Sequence, residues 1–476
     1  MKKRIVICMS ALLGTVAFVP EAAAIPSFAR QTGMACNACH AQHFPILSSF
    51  GRAFKAGGYT MSGAQGKIEG EHLSIPDTLN ASMVMKLRYQ KDNTASGQAA
   101  FDNSAGGSTA VPLAPNKLGD GQWQFLDEFA LFFGGRIAEN VGFLMEGNLM
   151  GSQLVAGFRM PFVFDVDGAK LSVVPFTTDA MGAQYGYEQS SGGVMRANRW
   201  AEHRRETSAI QFNADRGPDG GGATGFAFVA QNDLGYASYT MWSPNFLMSP
   251  NGTSASQDMS SQYIRLAVTP TIGDWAIVAG VGAMSGTAVF GGAVPQSSGI
   301  GDVETQVGTP GFKVDTEQTF IDFQAQGEVG GKELGIYVQY ANAPASSTNC
   351  NIYNMHVLAN GTTCRKPTDT LAAGEKAASD RKALTIGADY SVIPHVLSIG
   401  AAYRKAETGQ RISAADAAVG YGEVVDAITV TGVYDLYQNV AMHVNYTQYS
   451  GSGTKTRAST EVRQKNLMTF MLEAAW

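Results

Sequence analysis

The 476-residue sequence predicts an all-β transmembrane barrel of about sixteen antiparallel strands behind a small α-helical N-terminal segment. Three observations carry that prediction. From Leu79 to Trp476, stretch after stretch alternates apolar and polar residues with a period of two. The connections between those stretches are alternately tight and long. Charged residues make up only 16% of the chain, where a soluble protein of this size carries about 25%, and many lipid-facing side chains account for the deficit.

The N-terminus reads as an export signal, residues 1–24. Lys2, Lys3 and Arg4 form a basic start, Ile5 to Val19 an apolar run, and Ala22, Ala23 and Ala24 a small-residue cleavage site. The run falls short of the ~20 residues a spanning helix requires, and Cys8 lies inside it, far from the cleavage site, which argues against a lipoprotein. The mature chain then begins near Ile25. Taking Lys2, Lys3, Arg4 and Glu21 away from 34 basic and 40 acidic residues leaves 31 against 39, a net charge of −8. That mild acidity argues against nucleic acid as a partner.

Residues 25–76 have a character of their own. Phe44, Leu47, Phe50 and Phe54 recur at three- and four-residue steps, with Pro45 near the start and Gly57-Gly58 at the end, which predicts an amphipathic helix. Its aromatic stripe serves packing, and Arg52 and Lys55 fall on the opposite side, where they meet a charged group or solvent.

Residues 79–476 form the predicted barrel. Leu384, Ile386, Ala388, Tyr390 and Val392 make one apolar face against Thr385, Gly387, Asp389 and Ser391. Val440, Met442, Val444 and Tyr446 repeat this, as do Ile264, Leu266 and Val268, and Leu397, Ile399, Ala401 and Tyr403. A soluble sandwich alternates in the same way, so the connections decide. Tight turns are expected at Ala138 to Asn140, Gly330-Gly331, Ile393-Pro394 and Tyr437-Gln438, and long polar loops at Asp92 to Gly119, Met284 to Gly311 and Pro344 to Ala378. Short inner turns and long outer loops mark outer-membrane barrels. The chain also ends on Met468, Phe470, Leu472, Ala474 and Trp476 at alternate positions, a closing strand with a terminal aromatic.

Counted directly, the pattern yields about seventeen segments, but a bacterial barrel has an even number. Sixteen is therefore expected, with the ambiguity between Val141 and Trp242. Both termini then lie on the periplasmic side. By the same parity Lys86, Arg88, Arg265, Arg404, Asp322, Asp389 and His443 point inward, either as an ordinary charged lumen or as a docking surface for the N-terminal segment. That segment hangs in the periplasm or plugs the lumen; plugging is the expectation.

Cys36-Asn37-Ala38-Cys39-His40 is the attachment pattern of a c-type haem. Two thiols spaced by two residues match the two vinyl groups, and the following imidazole comes to lie under the iron as the proximal ligand. A redox dithiol or half a zinc site would use the same residues, but no second cysteine pair of this spacing supports a zinc site. A single motif means one covalent haem c, with the stripe from Phe44 to Phe54 as its packing and its propionates as the charged groups that Arg52 and Lys55 meet unless they are solvated. Met34, Met61 and His72 are in range as the distal ligand, while His43 lies on the same side as His40; Met61 is the choice. Cys350 and Cys364 remain, a pair that an oxidising compartment would join as a disulfide in an outer loop, the alternative being two free thiols.

The N-terminal block resembles the fused monohaem cytochrome–porins, the outer-membrane iron oxidases of iron-oxidising bacteria. The resemblance rests on Pro26-Ser27-Phe28-Ala29-Arg30-Gln31-Thr32-Gly33-Met34 leading into the haem motif, then Phe44-Pro45, Phe50-Gly51-Arg52, Phe54-Lys55 and Gly58-Tyr59. Beyond that block it is one of architecture. It implies an electron-transfer oxidoreductase in the outer membrane that takes electrons from extracellular Fe(II), or another small donor, and passes them through the haem to a periplasmic cytochrome or other carrier. Two competing readings are a porin with a haem-bearing plug and a conduit delivering electrons outward. No carboxylate cluster marks an Fe(II) site; Asp165 and Asp167 beside Gly168 read as a hairpin turn.

Overall fold

A computed structural model describes residues 26–42, 46–63, 65–93, 121–149, 155–178, 182–190, 222–244, 259–290, 312–346, 350–354, 370–409, 411–456, 458 and 465–476. The export signal lies outside them.

Three short helices open the described chain: α1 (Pro26–Thr32), α2 (Cys36–Cys39) and α3 (Ser49–Ala56). An exposed hairpin of β1 (Lys67–Gly70) and β2 (Leu73–Pro76) follows. The barrel begins at β3 (Ala81–Asp92) and continues through β4 (Gln122–Ala138), β5 (Val141–Asn148), β6 (Val155–Arg159), β7 (Phe162–Val166), β8 (Ala169–Thr178), β9 (Ala223–Asn232) and β10 (Gly235–Ser243). It goes on through β11 (Ser261–Val268), β12 (Thr271–Ile272) and β13 (Trp275–Ser285). Here a small separate sheet joins β14 (Thr287–Phe290), β15 (Phe312–Asp315) and, later in the chain, β18 (Cys350–Asn351). The wall resumes with β16 (Gln318–Glu328), β17 (Glu333–Ala343), β19 (Arg381–Ile393) and β20 (Leu397–Glu407). After a short helix, α4 (Ala414–Ala418), it finishes with β21 (Asp426–Tyr437), β22 (Val440–Ser450) and β23 (Asn466–Ala475).

The barrel closes where β23 pairs antiparallel with β3, from Leu467 opposite Asp92 to Ala475 opposite Val84. Trp476 extends the seam: its amide and carbonyl exchange hydrogen bonds with Met83 at 3.0 and 2.8 Å. Closure satisfies the edge groups that an open sheet would leave without partners in hydrocarbon. β6 and β7 are one strand interrupted at Met160-Pro161, because both pair with β8, and β11 and β12 likewise share β13. Counted that way the wall has the expected sixteen strands. The interruption at Pro161, which has no amide proton to give the ladder, falls in the stretch where the sequence count was ambiguous.

Strand parity follows the sequence. Along β3, Ser82, Val84, Lys86, Arg88, Gln90 and Asp92 are buried inward while their neighbours face out. Arg265, Arg404, Asp322, Asp389 and His443 are all buried on the inner face. Ile264, Leu266, Val281, Ile321, Ile399 and Ile428 stand exposed on the outside, each between 46 and 55%. A wall that is oily outside and polar inside is the pattern of a membrane-spanning barrel. Among the described residues no helix is long and apolar enough to cross a membrane.

The tight turns at residues 138–141, 328–333, 393–397 and 437–440 lie at the same end as the two termini of the wall, and Asp167-Gly168 forms a further turn there with positive φ at both residues. The long connections leave from the opposite end. The helical segment sits inside the barrel at the short-turn end, so of the two arrangements open to it, the chain adopts the plug.

Candidate functional site

The haem-motif turn is held by its own neighbours. Cys36 and Cys39, three residues apart on α2, share one helical face. The His40 amide donates to Cys36 O at 2.9 Å, and His40 itself leaves the turn in an extended conformation. The chain then loops back: the Ser48 amide donates to Cys39 O at 2.9 Å and Ser48 Oγ to Ala38 O at 2.9 Å. The same hydroxyl caps α3 by accepting from the Gly51 amide at 3.1 Å. A β-carbon on Gly51 would stand 2.1 Å from Cys39 O, so glycine is what lets α3 lie this close to the motif.

Burial pushes the Cys39 thiol above its ordinary value. A redox-active dithiol has a lowered thiol instead, so the environment disfavours that reading. Cys36, Asn37, His40 and Gln42 form one wall of a cleft. The β21–β22 hairpin from Val433 to His443 forms the other, with Glu473 and Ala475 of β23 and His395 of the β19–β20 turn also lining it. Cys36 and His40 line this cleft, with Cys39 on the same turn, and two thiols and an imidazole at this spacing are a donor set that fits a covalently held haem c.

The plug is fastened to the wall by specific contacts. Phe28 stacks on Tyr59 at 5.0 Å and meets Phe54 edge-on at 5.1 Å. This trio packs against Val84, Ala130, Phe132 and Leu144 of the barrel. Gln31 Nε2 donates to the carbonyls of Tyr59 and Met61 at 2.6 and 2.7 Å, while its Oε1 accepts from the Arg136 amide at 3.2 Å. The Gln42 amide donates to Glu333 at 2.9 Å, and its side chain donates to Asp389 O.

These contacts revise two expectations. The helix predicted from Phe44 begins only at Ser49, after its Ser48 cap, and Phe44 and Pro45 lie outside the described residues. The stripe of α3 packs through Phe54 on the barrel wall and not in the cleft. Arg52 and Lys55 do not line the cleft either. Buried Arg52 donates to Leu47 O at 3.1 Å and to Gln326 Oε1 of β16 at 2.8 Å; burial lowers its guanidinium to about 10, against the pull of Tyr337 and Tyr236, so it stays charged at neutral pH. Burial, and then the Arg159 guanidinium, pull the half-buried Lys55 ammonium down to about 7 despite the Glu188 carboxylate.

Of the candidate distal ligands, Met61 is 39% exposed and Met34 is 39% exposed, and neither lines the cleft. His72 stands in the exposed hairpin, with 92% of its side chain open to solvent. His43 and Cys364 lie outside the described residues, so the disulfide expected with Cys350 does too.

Deeper in the lumen is a polar knot that strand parity only half revealed. Arg265 on β11 donates through Nε to Glu188 Oε2 at 3.2 Å and through Nη2 to Asp322 Oδ2 at 3.0 Å. Tyr236 OH donates to Glu188 Oε1 at 2.5 Å. Burial alone would raise the Glu188 carboxyl; Arg265, the Tyr236 hydroxyl, the Ser190 amide and Lys55 together hold it below its ordinary value. Arg265 and Asp322 were expected to face inward; Glu188 was not foreseen, because it sits on an irregular segment, 182–190, that folds into the lumen. Among the described residues no three histidine, cysteine, aspartate or glutamate side chains gather to hold a metal ion.

No protein-family model and no characterised protein match the sequence. Solved structures similar to it are outer-membrane barrels. The outer-membrane channel DcaP of Acinetobacter baumannii aligns with 84% of this chain and 97% of its own at 10% identity and a TM-score of 0.46. OprB of Pseudomonas putida aligns with 83% and 94% at 8% identity and 0.48, and OmpF of Salmonella typhi with 86% and 100% at 11% identity and 0.43. The barrel assignment rests on this chain's own strand pairing.

Proposed function

We propose that this protein is an outer-membrane electron conduit, a barrel plugged at its periplasmic mouth by a segment carrying one covalent haem c on Cys36 and Cys39, with His40 as the proximal ligand. The observation that supports it most is the placing of the Cys36–His40 turn inside the lumen, facing a cleft against the barrel wall. An insulating bilayer stops electrons as well as ions, and a redox centre inside a protein wall that spans it supplies a stepping stone.

When bound, the haem would supply one-electron redox chemistry. The chain's own residues do the rest. α2 presents both thiols on one face, the Ser48 bonds and Gly51 hold that turn against α3, and Gln31, Gln42 and the Phe28, Phe54 and Tyr59 trio fix the plug on the wall. Position is what such a protein contributes, because transfer depends on where the centre is held. The donor side is extracellular Fe(II) or another small donor, and the acceptor side a periplasmic cytochrome or similar carrier.

The test is stopped-flow mixing of the oxidised protein with Fe(II) near neutral pH, watching the α-band of reduced haem c. Fast reduction that saturates with Fe(II) supports the proposal. Reduction by dithionite but not by Fe(II) removes iron as the donor and leaves outward delivery as the direction to test. The polar lumen also suits a transport porin with a haem-bearing plug; solute flux through the intact protein in liposomes would favour that second reading, whereas a docked plug passes little.

A further inference from the structure

The haem reading leaves the distal position open, and the cleft narrows it. We propose that His443, on the inner face of β22, is the distal axial ligand, so that the barrel wall and not the plug completes the iron site; this rests on the haem reading above.

The argument is one of walls. A macrocycle tethered to Cys36 and Cys39, with His40 beneath it, has α2 along its proximal side. Its other face would then turn to the opposite wall of the cleft, which is formed by the β21–β22 hairpin with β23. The sixth ligand therefore comes from that wall. Among the described residues neither methionine nor cysteine lines it; its imidazoles are His443 and His395, and its carboxylates Asp435 and Glu473. Imidazole is an established axial donor to haem iron, and hard carboxylates are poor ones.

Between the two histidines the backbone decides. His443 is 2% exposed and sits within a continuous ladder, opposite Val433 on β21 and Met471 on β23. A ligand on a paired strand is held more precisely than one on a loop. His395 lies in a turn with φ of +58° and is only half-buried. The methionines near the motif, Met34 and Met61, stand outside the cleft.

Two consequences follow. The haem would be bis-histidine ligated, with a lower potential than a histidine–methionine pair would give. It would also staple the plug to the wall, because its two ligands come from different parts of the chain.

The test uses the full chain, exported and matured, with covalent haem verified by pyridine haemochrome and barrel folding by heat-modifiable migration. Visible and EPR spectra are recorded for the wild type and for H443A, H443M, H395A and M61A. The expected result is a low-spin bis-histidine wild type, a high-spin ferric shift in H443A that added imidazole reverses, and unchanged spectra in H395A and M61A. If H443A does not assemble, H443M keeps a donor at the position, and a clear rise in its midpoint potential supports the proposal. The proposal is overturned by a high-spin wild type, by an H443A variant that stays low-spin, by an H443M variant whose potential does not move, or by loss of the low-spin signature in H395A or M61A. Absence of covalent haem from the wild type would instead overturn the haem reading itself, a separate and distinguishable outcome.

Discussion

The two walls of the cleft are built by opposite rules. The plug wall is irregular: positive φ at Gly33, Gln42, Gly58 and Tyr59, a serine serving both as cap and as latch, and glycines where chains nearly touch. A β-carbon on Gly142 of β5 would stand 2.0 Å from Gly58 O, so even the barrel yields a side chain where the plug meets it. The barrel wall is regular, with each strand repeating oil outside and polarity inside. An irregular wall depends on particular residues, whereas a periodic wall depends on a pattern that tolerates exchange within it. Substitutions should therefore act all-or-none on the plug's chemistry and gradually on the wall, except where the wall carries buried charge.

The largest effect expected is on the plug. Cys36→Ser with Cys39→Ser should abolish covalent haem in a haem-stained gel while heat-modifiable barrel migration is retained; loss of the barrel as well would show the two regions to be one cooperative unit. Next comes the wall's exception. Arg265→Met leaves Glu188 and Asp322 buried without their cation, and removing one partner of a buried ionic network costs about 3–5 kcal/mol. Urea unfolding in liposomes should show that loss, and a cost under about 1 kcal/mol, the range of an exposed pair, would mean that water reaches the knot.

Phe54→Ala probes the seam between the regions. Truncating a buried phenylalanine costs about 3–5 kcal/mol at most sites, here taken from plug docking, so liposome conductance should rise while the barrel's own unfolding midpoint changes little. The smallest effect concerns Lys55. Its ammonium is lowered to about 7 when docked and returns to its ordinary, higher value on release. The docked state then holds fewer protons than the released one between those values, so docking strengthens as pH rises through that window and weakens as pH falls. Lys55→Met should flatten the pH dependence of conductance; an unchanged profile would assign it to another group.

Much of this was legible in the sequence. The motif Cys36 to His40 needs only local spacing to be read, and the inward set of Lys86, Arg88, Arg265, Asp322, Asp389, Arg404 and His443 follows from parity alone, because a strand's side chains alternate whatever surrounds them. The helix of the plug starts later than the aromatic spacing implies: that spacing continues through Phe44 and Leu47, but the Ser48 cap and the loop back to Cys39 O begin the helix at Ser49. Gln42 and Glu188 carried no signal, since a single amide or carboxylate on an irregular segment shows nothing of its partner, and Gln31, although part of the N-terminal block, shows nothing of its bonds to Tyr59, Met61 and Arg136.

What the sequence determined by itself is therefore what short-range covalent and steric rules govern: the thiol spacing on one helical turn, the period of the strands, the alternation of tight and long connections. Only the tertiary structure decided that the plug enters the lumen, that Arg52 and Lys55 face the wall and not the cleft, and that His40 and His443 share one cleft although they lie 403 residues apart. The physical reason is that closing the wall through β23 and β3 brings the last strands beside the first, and which inward side chains then meet the plug depends on how two surfaces fit, a property no local pattern encodes.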